Sequence, residues 1–112
     1  MKLSTRAKYG LKALIDLGLY SEKEAVSLQS IAGRQNISVS YLEQLMALLK
    51  KAGLVKSVRG AAGGGYFLGR PAEEISVGDI LRVLERRPGK LRHVREQKVT
   101  VAARVLISAW LN

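Results

Sequence analysis

The sequence predicts a mainly α-helical domain that carries one small β-hairpin. Three observations lead there. Apolar residues recur at helical spacing in four separate segments before residue 86. Each segment has a serine or threonine placed to cap it, and Gly53 and Pro88-Gly89 stand where the third and fourth end. Between those two segments, two short runs rich in β-branched and aromatic residues flank a glycine-rich connection.

The elements follow in order. Ala7, Leu11, Leu14, Ile15 and Leu19 pattern a first helix over Ser4 to Tyr20, with Ser4 or Thr5 as its N-cap. After the polar break Ser21-Glu22-Lys23-Glu24, Ser27 caps a short second helix whose inner side holds Leu28, Ile31 and Ala32. It frays at Asn36, a residue that tolerates the left-handed conformation of a turn. A third helix begins at Ser38 or Ser40 and runs to Ala52, with Gly53 as its terminator. Its Leu42, Leu45, Met46 and Leu49 fall within an arc of roughly 100° and form a buried stripe. The opposite arc carries Ser40, Glu43, Gln44, Ala47, Lys50 and Lys51.

Leu54 to Val58 reads as a strand, Tyr66 to Leu68 as its partner, and Arg59 to Gly65 as the link. A fourth helix starts at Ser76, which forms a capping box with Asp79, while Ile75 and Ile80 can staple it. Val77, Ile80, Leu81 and Leu84 make its buried face. Lys90 to Lys98 is charged and poorly patterned. From Val99 onward a last helix is expected, apolar nearly all round and with Trp110 at a subunit contact. The expected division is a DNA-binding domain over 1–85 and a basic linker with a dimerisation helix over 86–112.

Length and composition narrow the function classes. A chain of 112 residues supports one small core, and 47% apolar residues are enough to fold it. No apolar run approaches the length of a bilayer span, and Met1 to Arg6 lacks the apolar core of a signal peptide. A soluble, cytoplasmic protein with no membrane partner is expected. There is no cysteine, hence no disulfide, thiolate metal site or cysteine nucleophile. No paired acid and base stands at a plausible spacing, so no enzyme is expected. Asp16, Glu43 and Asp79 read instead as helix surface, groove contact and cap.

Charge points to a polyanion. Nineteen basic residues against nine acidic give +10, divided as net +4 over residues 1–85 and +6 over 86–112. Such a balance suits DNA, RNA or an anionic membrane surface. The third helix selects among them. Two short helices, a tight turn and a helix with a small, polar outer face make a helix-turn-helix, whose last helix enters the DNA major groove. Ser40, Gln44 and Ala47 are small enough for a groove about 12 Å wide; Gln44 can pair with adenine and Glu43 can accept from cytosine. The hairpin that follows is then a wing. Arg59-Gly60 at its tip suits a narrow minor groove, where glycine allows close approach and arginine meets strong negative potential. Gly60 to Gly65 lacks the Gly-Lys-Ser/Thr ending of a nucleotide phosphate loop and does not open a helix, so neither nucleotide fingerprint fits.

The sequence resembles the Rrf2 family of bacterial winged-helix transcriptional regulators. The resemblance rests on Lys2 to Gly10, on Ser38-Val39-Ser40-Tyr41-Leu42-Glu43-Gln44-Leu45, and on Gly53 to Gly60. Gly63-Gly64-Gly65-Tyr66 and Val77-Gly78-Asp79-Ile80 carry it further, so that it covers about residues 1–85. It implies a homodimer on a pseudo-palindromic double-stranded DNA operator, acting as a repressor or activator of iron-sulfur cluster or cysteine and sulfur metabolism genes. It implies major-groove contacts from positions matching Ser38, Ser40, Glu43 and Gln44 and a minor-groove contact from the position matching Arg59; Tyr41, Lys50, Lys51 and Gly60 complete the expected DNA-contacting set. Tyr9 is expected to be structural. Cluster-binding members of the family carry three cysteines after the fourth helix. This chain has none, and His93 is its one histidine, so no cofactor is expected. A nonspecific basic DNA-binding protein is the rival reading.

Overall fold

A computed structural model of the chain describes residues 4–59, 64–85 and 100–101. Four α-helices and one antiparallel hairpin make it up: α1 Thr5–Tyr20, α2 Leu28–Gln35, α3 Val39–Lys51, β1 Val55–Val58, β2 Gly65–Leu68 and α4 Val77–Glu85. A single 3-10 turn, Ala72–Glu74, precedes α4.

Local chemistry sets the ends of these helices. The hydroxyls of Ser4, Ser27 and Ser38 accept from the backbone N–H three residues on, satisfying donors that a first turn leaves unpaired. Asn36 closes α2 in the left-handed region, with φ 54°. Gly53 follows α3 at φ 80°, where a side chain would be strained. At α4 the capping box is reciprocal. Ser76 N donates to Asp79 Oδ2 at 2.9 Å, and Asp79 N donates to Ser76 Oγ at 3.0 Å.

Burial pushes the Asp79 carboxyl up, but hydrogen bonds from the Ser76 backbone, Arg82 and the Ser76 hydroxyl outweigh it and hold it below its ordinary value. A lowered folded-state value means stability that is present above the unfolded carboxylate range and lost as pH falls through the folded one. Asp79→Ala therefore costs about 1 kcal/mol at neutral pH, and the gap to the parent closes below about pH 4. Urea unfolding of both proteins across pH 2–7 checks this; a gap that stayed constant would remove the ionised cap. The Arg82 and Arg70 contacts at 2.6 and 3.7 Å are half-exposed and contribute little of it.

The core is one cluster drawn from every helix and from Val55 of β1, with Tyr66 and Leu68 of β2 partly buried against it. Leu14, Leu17, Ile31, Leu42, Leu45, Met46, Leu49, Ile80, Leu81 and Leu84 are all essentially inaccessible. α3 buries Leu42, Leu45, Met46 and Leu49, the four residues its spacing predicts. α1 departs from expectation. Its fully buried residues are Ala7, Gly10, Ala13, Leu14, Asp16 and Leu17, whereas Leu11, Ile15 and Leu19 are half-buried. Small residues win this face because α4 packs closely there: a Cβ on Gly10 would collide with Leu84.

Asp16 is not the surface residue its charge suggests. It is wholly buried, and Arg34 of α2 grips it with two hydrogen bonds, Nε to Oδ2 at 2.9 Å and Nη2 to Oδ1 at 2.8 Å. Gln35 Nε2 adds a third at 3.0 Å. A carboxylate can be buried only when its lone pairs are met in this way.

In the hairpin Val55 pairs with Leu68 and Val58 with Gly65. Val26 adds a further antiparallel bridge, exchanging backbone hydrogen bonds of 3.0 and 2.8 Å with Tyr66. The segment between α1 and α2 thus pairs with the tip-side half of β2. Thr100 bridges Ser76, and Val101 N donates to Ile75 O at 2.8 Å with the Val101 side chain fully buried. The rest of the expected C-terminal helix, with Trp110, lies outside the described residues, as do Gly60 and His93.

Candidate nucleic-acid interface

The segment from α2 to β2 has the form its sequence requires. Asn36, Ile37 and Ser38 join α2 to α3, with Ile37 buried and its N–H bonded to Ala32 O at 3.0 Å. That short, anchored turn fixes where α3 begins. With the stripe of Leu42, Leu45, Met46 and Leu49 in the core, the residues opposite must face outward. Ser38, Ser40, Glu43, Gln44, Ala47, Lys50 and Lys51 are all exposed.

Ser40, Gln44, Ala47 and Lys51 form one row at i, i+4, i+7 and i+11. At 1.5 Å per residue the first three span about 10 Å, the height of some three base pairs. Lys50 and Lys51 occupy the last turn, where cations also complement the helix dipole. Lys50 lies a quarter-turn from this row.

Tyr41 is placed differently from its neighbours. It is half-buried, packs against the core, and meets Tyr9 of α1 edge to face with ring centroids 6.1 Å apart. Tyr9 is likewise half-buried against the core. This pair links α1 to the first turn of α3.

Arg59 is exposed immediately after β1. It borders a shallow cleft of about 290 Å³ shared with Leu28 and Gln29 of α2 and with Gly64 and Tyr66. The wing's cation therefore stands beside the first turn of α2. Sequence reasoning missed Gln29 there, since nothing local distinguishes an exposed glutamine near a helix start. A larger open cleft of about 830 Å³ runs between Ser4 to Arg6 of α1, Tyr41, Gln44 and Ala47 of α3, and the end of α4. Glu85 closes its floor, accepting from Ser4 N at 3.1 Å and from Ser4 Oγ at 2.5 Å.

A helix pair joined by a tight turn, with an outward polar row on the second helix and an antiparallel hairpin directly after it, is a winged helix-turn-helix domain. Comparison with known proteins specifies which. Residues 3–110 match the Rrf2 family, described as iron-dependent transcriptional regulators, and the chain belongs to that family. It is 49% identical over 85 residues to the HTH-type transcriptional regulator IscR of Vibrio atlanticus, covering 76% of this chain and 49% of that protein. It is 52% identical over 85 residues to the HTH-type transcriptional regulator CymR of Bacillus subtilis, covering 76% of this chain and 61% of that protein. This chain thus spans about half the length of the curated relatives it matches. The solved structure of CymR, the global cysteine regulator of B. subtilis, is similar with a TM-score of 0.84 and 38% identity, over 96% of this chain and 98% of that one.

The family's description names iron, so the donor set matters. Among the described residues no three His, Cys, Asp or Glu side chains converge where a metal ion could be held. The chain has no cysteine, and its one histidine cannot fill a coordination sphere alone. These residues do not fit an iron ion or an iron-sulfur cluster. Among the described residues, too, no helix is long and apolar enough to cross a membrane.

Proposed function

We propose that this chain is the DNA-reading unit of a sequence-specific transcriptional regulator that works in the cytoplasm as a homodimer on a pseudo-palindromic operator. The observation that carries the reading is the outward row of Ser40, Gln44, Ala47 and Lys51 on a helix whose opposite face is locked in the core. Ser40, Glu43 and Gln44 read base edges in the major groove. Ser38, Lys50 and Lys51 hold the backbone, Tyr41 sets the entry angle of α3, and Arg59 with Gly60 enters the adjacent minor groove. No catalytic role is assigned to any residue.

Cysteine and sulfur metabolism is the gene set we favour. The chain has no cysteine with which to hold an iron-sulfur cluster, and among the described residues no three metal-ligating side chains converge.

Selection of random duplexes by the purified protein, at two salt concentrations, tests the reading. A palindromic winner that survives the higher salt supports it. Enrichment of nothing, with affinity collapsing as salt rises, would leave the rival, a basic protein that coats DNA. On the selected operator, Arg59→Ala lowers the slope of log affinity against log salt by about 1 and flattens the preference for A·T where the wing enters. Unchanged affinity and unchanged preference would take the wing out of the interface.

A further inference from the structure

We infer that Lys8 and Lys12 of α1 form a second DNA contact, a clamp on the phosphate backbone beside the major groove that α3 reads. The inference rests on the winged-helix reading above and extends it to a helix outside the helix-turn-helix and wing.

Four observations carry it. Lys8 and Lys12 stand one turn apart on α1, so their ammonium groups share a face. Both lie over one aromatic ring: Lys8 Nζ is 5.7 Å and Lys12 Nζ 5.3 Å from the centroid of Tyr9. That ring meets Tyr41, three residues into the helix-turn-helix's second helix counting from Val39, at 6.1 Å. Finally, none of the ion pairs among the described residues takes either lysine.

Two like charges at i, i+4 weaken a helix rather than support it, and the acid in register with them, Asp16 four residues after Lys12, is buried and held by Arg34. The negative face of Tyr9 holds them together at a modest gain and neutralises neither. What completes such an arrangement is an anion. The same ring fixes which anion is at hand. Through Tyr41 it joins the two cations to the end of α3 whose residues touch base edges, and the groove receiving that end is only about 12 Å wide. The strand that walls the groove therefore passes within reach of lysine side chains on α1. Its phosphates supply a repeated negative charge that point cations bind without reading sequence.

The test is the salt dependence of binding to the selected operator for the parent, Lys8→Gln/Lys12→Gln, Lys8→Arg/Lys12→Arg and, as a distant charge control, Lys23→Gln. Two phosphate contacts contribute about 1.8 to the slope of log affinity against log salt. The glutamine pair should lose that much, so that between 50 and 200 mM salt the parent's affinity falls about tenfold more than the variant's. The arginine pair should restore the slope, Lys23→Gln should leave it near the parent's, and the ranking of operator bases should not change. A glutamine pair with the parent's slope would overturn the clamp, as would a loss of base ranking with the slope intact. Should the parent show no operator preference, the regulator reading fails, and the same slopes on a random duplex still decide the clamp. Circular dichroism of the glutamine pair confirms that the comparison is between folded proteins; an unfolded pair hands the decision to Lys8→Gln and Lys12→Gln singly, each expected to lose about half the slope.

Discussion

Replacing Arg34 with alanine should lower the stability of this domain by about 3–5 kcal/mol, out of the 5–15 kcal/mol typical of a whole domain. The size follows from what is left behind. Asp16 is fully inaccessible, and two of the three side-chain hydrogen bonds to its carboxylate come from the Arg34 guanidinium. Without Arg34 the carboxylate keeps Gln35 and little else, in a place water does not reach. The pairing is visible from the other side as well. The hydrogen bond to Asp16 holds the guanidinium's pKa above its ordinary value against the opposing effect of burial. Arg34 also lies 4.2 Å over the Tyr20 ring, so the substitution removes a packed cation along with the ion pair.

Asp16→Asn should cost less. It leaves an arginine whose side chain is 35% exposed and can turn toward solvent, while the amide keeps the shape of the buried group. Arg34→Lys falls between, because an ammonium cannot reproduce the two-pronged geometry. Urea unfolding gives the order, and Arg34→Ala within 1 kcal/mol of the parent would show that the ion pair does not hold α2 to α1. Since α2 carries the turn that positions α3, the same variant should bind the operator less tightly even when mostly folded.

That ion pair also marks a limit of what the sequence shows. Periodicity sorts residues by hydropathy, and on that scale a carboxylate at position 16 belongs to the surface. Its burial depends on a partner eighteen residues away, and no local pattern encodes that distance. The displaced stripe on α1 has a related cause. Hydropathy places Ala7 and Leu14 correctly but gives weight to Leu11, Ile15 and Leu19, whereas close helix packing selects Gly10 and Ala13 for size. The bridge between Val26 and Tyr66 and the edge-to-face contact of Tyr9 with Tyr41 are likewise products of tertiary contact.

Where the governing physics is local, the residues declare the structure. Ser27 and Ser38 as caps, Asn36 at positive φ, Gly53 after α3 and the Ser76–Asp79 box are all properties of three or four neighbouring residues. The outward face of α3 is legible for the same reason, since a four-residue apolar stripe leaves only one direction for the opposite arc. The lysines of α1 are not, because their relation to α3 runs through two rings on different helices.

Gln44→Ala should cost about 1–3 kcal/mol on the selected operator, a loss of roughly 5- to 150-fold, and much less on duplexes altered at a single base pair. Gln44 sits nearly opposite the centre of the buried stripe, one turn after Ser40 and one before Ala47, so it occupies the middle of the outward row. No hydrogen bond among the described residues engages its amide. The substitution therefore removes nothing from the fold, and thermal unfolding should not move by more than a degree or two; alanine is, if anything, the better helix former. The whole effect then belongs to the interface. A glutamine amide offers a donor and an acceptor side by side, matching N7 and N6 of adenine, so truncation should relax preference at one base pair per half-site. Gln44→Glu sharpens the comparison, for it keeps the length but replaces the donor with a charge that adenine N7 and the flanking phosphates both oppose. It should bind the operator more weakly than Gln44→Ala. Equal losses for Gln44→Ala on every duplex would reduce Gln44 to a backbone contact and shift base reading onto Ser40 and Glu43, whose exposed side chains lie nearer the start of the helix.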